Sequence, residues 1–157
     1  MITDRIEPGW IDAFAEVFTL CKIRAEEQVV ILSESQSRPL NVHLTELALA
    51  VLGLRYYHVK VPTPRAPGGP IIRSSGASLA LTGQTGAVAA LAASDVVIDL
   101  TVEGLMHAAE TATILKAGAR IMNVSNEHPE ALARTIPTAD LKARAKDGVA
   151  RCRAAQK

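Results

Sequence analysis

Apolar and polar positions along the 157-residue chain alternate between two periods, and the switches between them mark out the elements. WIDAFAEVFTLC sets Trp10, Phe14, Val17, Phe18 and Cys21 at helical spacing and predicts a first amphipathic helix. QVVILSE follows as a strand whose unbroken apolar centre, Val29 to Leu32, suits a position covered on both faces of a parallel sheet. From Pro39 to Leu52 the spacing predicts a helix with Leu40, Leu44, Leu47 and Val51 on one side, stopped by Gly53. RYYHVKVPTP reads as a second strand ended by prolines, and RAPGGPIIRSSG as a long irregular loop, of a length that is usually functional or mobile rather than a simple connection.

The second half repeats the alternation. An Ala-rich helix is predicted from Ser78 to Ser94, VVIDL as the third strand, a helix from His107 to Lys116 stopped by Gly118, and ARIMNV as the fourth strand. EHPEALARTIP and TADLKARAKDGVARCRAAQK complete the chain as helices. Such alternation predicts one α/β domain over residues 1–157. Its expected architecture is an open, mainly parallel four-stranded sheet with helices on both faces, Rossmann-like but lacking a dinucleotide fingerprint.

Composition narrows the function classes. With 48% apolar and 21% charged residues the chain fits a globular domain, and a net charge of +1 offers no general attraction to nucleic acid. The basic C-terminal segment, Lys142 to Lys157, reads as a solvated helix face. No uncharged apolar run is long enough to span a membrane, and MITDRIEPGW carries acids where a signal peptide needs bases, so a cytoplasmic location is expected. Cys21 and Cys152 have no ligand or disulfide spacing, and the five aromatics all fall within the first 57 residues, leaving no stacking platform for single strands.

Most motifs fail on their chemistry. SESQSRPLN between the first strand and its helix has no glycine to admit a pyrophosphate, so no NAD or FAD is expected; its serines and Asn41 fit helix capping better than anion binding. GQTG at residues 83–86 reads as a helix-start turn. His43, His58, His107 and His128 lack metal-ligand spacing, and no GxSxG is present.

VVIDLTVEGLMHAAET is different, because side chains just past the carboxyl end of a strand in an open sheet project toward the ligand crevice. Asp99, Thr101, Glu103 and His107 fall there, and a histidine can move a proton near neutrality. The same pattern also fits a helix capped by Thr101 or Glu103 with His107 in its first turn. Asn123, Ser125, Asn126 and Glu127 lie past the fourth strand and are candidates for the same edge.

Taken together, DVVID, the segment from His107 into ILKAGARI, and PEALARTIPTADLKAR resemble the N-terminal domain of the 2,5-dihydroxypyridine 5,6-dioxygenases, a family related in turn to aminopeptidase T-type, leucyl aminopeptidase-like metallopeptidases. The likeness extends more loosely back to the first helix, and between Asp99 and His107 this chain is slightly longer than the family pattern. It implies a non-haem iron(II) ring-cleaving enzyme of hydroxylated aromatics, with the iron held by a C-terminal metal-binding domain outside these residues and no metal or cofactor ligand in this chain. By the same resemblance His107 is the catalytic candidate, facing a small aromatic substrate, with Thr101, Glu103 and Leu105 as substrate-binding neighbours. An aminopeptidase parent and a stand-alone binding or assembly domain are the alternatives. Apolar surface left by an absent partner would favour homo-oligomers.

Overall fold

The computed structural model describes residues 5–65 and 76–155. Ten elements follow one another: α1 (Pro8–Leu20), β1 (Val29–Glu34), α2 (Pro39–Val51), β2 (Tyr56–Val61), α3 (Thr85–Ala92), β3 (Val96–Asp99), α4 (Thr111–Lys116), β4 (Arg120–Asn123), α5 (Pro129–Arg134) and α6 (Ala139–Ala155). The strands form one sheet in the order β2-β1-β3-β4, and every pairing is parallel. Val30, for example, lies between Tyr57 and Val97.

Alternate residues of the two central strands feed two cores. Val29, Ile31, Val96 and Ile98 pack with Phe14 and Phe18 of α1 and Leu40, Leu44 and Ala48 of α2. Val30, Leu32 and Val97 pack on the other face with Leu81, Leu91 of α3, Leu105 and Ile114 of α4. All six residues of β1 are buried, as its uninterrupted apolar centre requires of a strand covered on both sides.

Three elements depart from the pattern-based reading. On α2, Leu47 is 40% and Val51 70% exposed, whereas Asn41 and Thr45 are buried; the helix is turned so that Asn41 can donate to the Ser125 and Glu127 carbonyls. The Ala-rich helix begins only at Thr85, after the turn at Gly83 (φ +76°), so GQTG is indeed the helix start. His107 precedes α4 rather than opening it, because the intervening residues form turns tied back to β3. Most of the long loop, residues 66–75, lies outside the described residues.

α6 buries none of its side chains, in keeping with a solvated basic face. No helix among the described residues is long and apolar enough to cross a membrane.

Candidate functional site

The strand order reverses direction between β1 and β3, which is where open parallel sheets leave a crevice beyond the carboxyl ends. Here the crevice is spanned by the protein's own groups. Ser37 donates its hydroxyl to the Leu100 carbonyl (2.7 Å) and accepts the Glu34 amide N–H (2.8 Å). The Glu34 carboxylate, only 2% exposed, accepts the Val102 amide N–H. The β1–α2 and β3–α4 connections are thereby pinned to each other.

Asp99 organises the second of those connections. Its Oδ1 accepts both the amide N–H (3.0 Å) and the hydroxyl (2.6 Å) of Thr101, and its Oδ2 accepts the Leu105 amide N–H (2.7 Å). The Thr101 hydroxyl in turn accepts the Gly104 N–H (3.1 Å), and Gly104 takes the positive φ (+76°) that lets the chain fold back. One side chain thus holds a six-residue loop. Burial pushes the Asp99 carboxyl above the ordinary carboxylate value, against the pull of its three donors. Burial likewise raises Glu34; hydrogen bonds from Val102 and Thr63 oppose this, and the nearby Asp99 and Glu103 charges add to it.

The segment after residue 75 is laid along the same loop. Gly76 N–H donates to Glu103 O (2.6 Å), Ser78 N–H to Gly104 O (2.9 Å), and His107 N–H to Gly76 O. Gly76 has φ +71°, and a Cβ there would meet His107 Cδ2 at 3.2 Å, so the backbone lies close against the imidazole edge.

The four candidate residues fall into two groups. Thr101 and Leu105 have no exposed surface: the hydroxyl is engaged within the loop and the leucine packs in the α3/α4 core. Glu103 is half-buried and His107 exposed, so these two are carried outward by a loop whose interior is fixed. Neither Thr101 nor Glu103 caps α4, which lacks a side-chain cap. Met106, next to His107 in the chain, is 62% exposed and adds an apolar group beside the imidazole.

Asn123, Ser125, Asn126 and Glu127 serve a different place. Asn126 Oδ1 accepts the Arg38 amide N–H (2.9 Å) at the start of α2, and the Ser125 and Glu127 carbonyls receive Asn41. Among the other histidines, His128 caps α5 through Nδ1 and stacks edge-on against Trp10. His58 Nε2 lies 2.7 Å from Ser33 Oγ, with Nδ1 4.0 Å from Glu46, an array with the residue types of a hydrolase triad. Ser33 is 1% exposed within a strand beneath α2, so no substrate reaches its hydroxyl.

Among the described residues no three His, Cys, Asp or Glu side chains are grouped to hold a metal ion. Asp99, the best-placed carboxylate, has both oxygens committed to backbone and hydroxyl donors. The described residues therefore do not offer an iron centre. Glu34, at the end of β1, is the residue pinning the two connections together that pattern reasoning missed. The available signal was an acid ending an apolar strand, with a serine three residues later.

Residues 9–157 match the family model described as NicX, 2,5-dihydroxypyridine 5,6-dioxygenase. The chain belongs to that family. The 2,5-dihydroxypyridine 5,6-dioxygenase of Pseudomonas putida KT2440 is 36% identical over 134 residues, covering 83% of this chain and 37% of that protein. A solved structure, that of 2,5-dihydroxypyridine dioxygenase from the same organism, superposes with a TM-score of 0.73 at 33% identity, covering 83% of this chain and 38% of the other. This dioxygenase-family chain therefore spans less than two-fifths of the length of the relatives it matches.

Proposed function

We propose that this chain forms the substrate-wall domain of a ring-cleaving iron(II) dioxygenase acting on a hydroxylated pyridine or similar aromatic, in the cytoplasm. The iron is assigned to a C-terminal metal-binding domain beyond these residues. The observation that carries the reading is the β3–α4 loop: rigid inside through Asp99, it presents Glu103 and His107 outward next to exposed Met106. A rigid support of this kind is what a positioned acid or base requires.

His107 is assigned the task of exchanging a proton with the ring hydroxyl of the substrate, and Glu103 the task of orienting it. Thr101 and Leu105 shape the wall from inside, the first by closing the loop and the second by anchoring it to the core. Iron, held elsewhere, supplies the activation of oxygen. Relationship to metallo-aminopeptidases would place a two-metal site in the second domain instead.

The test is oxygen uptake with iron(II) and 2,5-dihydroxypyridine. The isolated 157-residue chain is expected to consume none, and a polypeptide of the relatives' full length carrying this domain is expected to turn over. Turnover by the isolated chain would overturn the division of labour; peptide hydrolysis by the longer protein would overturn the chemistry.

A further inference from the structure

α6 buries none of its side chains, so within this chain its 17 residues gain little from packing. A lone helix of that length is marginal in water. Its two exposed i,i+4 ion pairs, Asp140 with Arg144 (3.7 Å) and Asp147 with Arg151 (2.9 Å), add little, and Gly148 in its middle detracts. A helix built this way calls for a partner.

The faces of α6 differ. Leu141, Ala145, Gly148, Val149 and Cys152 fall within about 100° of one another around the axis, an apolar seam on which Leu141 is 45% and Val149 52% exposed. Lys142, Lys146 and Arg153 line one border of that seam, and none of the three forms an ion pair among the described residues. Both acids of the helix, Asp140 and Asp147, are engaged on the other border. A Cβ added to Gly148 would meet nothing within 4 Å, so no contact in this chain calls for a glycine in the seam. A bare backbone there lets a second helix approach closely.

We propose that α6 docks a second helix with an apolar face and an acidic border, supplied by the part of the family protein that this chain, at less than two-fifths of its relatives' length, does not span. Charge selects that occupant. From Lys142 to Arg153 the unpaired cations extend over about 16 Å of helix, which carboxylates on three turns of a partner would match. A second copy does not supply them: antiparallel pairing sets the basic border against itself, and parallel pairing sets it against acids already paired. A membrane surface is no better served, since Leu141 and Val149 are the only seam residues larger than cysteine. The proposal rests on the reading that a further domain accompanies this chain.

The probe is a synthetic helical peptide of about 20 residues whose Leu/Ala face is bordered by glutamates, titrated at low salt into the isotope-labelled 157-residue chain and followed by NMR. The control peptide carries lysine at every glutamate. Saturable shifts are expected at the amides of residues 141–153, with the acidic peptide binding at least about tenfold more tightly than the basic one. Lys142→Glu combined with Lys146→Glu, both at exposed positions, is expected to reverse that preference at unchanged melting temperature. In a polypeptide of the relatives' full length carrying this domain, the α6 amides are expected to exchange at least about tenfold more slowly than in the short chain, and Val149→Asp to abolish the difference. Equal affinity for the two peptides, an unreversed preference, or α6 exchange equal in the short and long chains would each overturn the proposal. None of these readouts involves iron or oxygen, so oxygen uptake by the isolated chain would overturn the division of labour without touching them.

Discussion

Asp99→Asn removes one oxygen from the loop support and changes little else in volume. The amide oxygen, placed as Oδ1, still accepts the Thr101 N–H and hydroxyl. The new NH2 then faces the Leu105 N–H, which the carboxylate held at 2.7 Å. Two donors confront each other in a site with no exposed surface. Losing a hydrogen bond to a charged group costs about 1.5–3 kcal/mol, and leaving the Leu105 N–H without a partner adds about 1–3 kcal/mol. The variant no longer buries a carboxylate, whose desolvation is what raises the Asp99 pKa, and this returns part of the cost. A net loss of about 2 kcal/mol follows, or about 4–8 °C in melting temperature for a domain of this length. Urea denaturation gives the first number, and hydrogen exchange at Leu105 and Thr101 shows whether the loss arises in the loop. An unchanged midpoint, or a lower midpoint with undiminished protection of the Leu105 amide, would refute the claim that Asp99 holds this loop.

Three further expectations follow from the same geometry. Because Glu34 titrates above the ordinary glutamate range when folded, the native state keeps a proton that the unfolded chain releases, so stability falls as pH rises from about 4 through the raised value; Glu34→Gln should flatten that slope in urea midpoints taken across the window, leaving the Asp99 contribution of the same sign. Gly76→Ala forces a Cβ into left-handed backbone against His107 Cδ2, costing about 1–2 kcal/mol and shifting the His107 ring resonances in NMR spectra. His107→Ala, at an exposed position, should change stability by under about 0.5 kcal/mol, yet lower kcat about 10²–10⁴-fold in a full-length family enzyme carrying this domain.

The sheet was legible because VVIL and VVI run without a polar interruption, and such runs are stable as strands only between two layers. The face of α2 was not, since reading apolar residues as buried favours Leu47 and Val51 over Asn41 and Thr45. Asn41 is drawn inward by carbonyls 84 and 86 residues away. The loop after β3 was legible as a place but not as an arrangement. Thr101 and Leu105 look equivalent to Glu103 and His107 along the chain. Only the return of the Leu105 N–H to Asp99 turns the first pair inward and leaves His107 outside the helix that its apolar neighbours predicted. Glu34 could be noticed as an acid ending an apolar strand, but its bond could not be read, its partner Val102 being 68 residues distant.

Iron(II) binding followed by equilibrium dialysis tests the central assignment most directly. The 157-residue chain is expected to retain well under one equivalent, while a polypeptide of the relatives' full length retains one iron per chain. Stoichiometric, tight iron on the short chain would contradict the account, and two divalent ions on the long one would move it to peptidase chemistry.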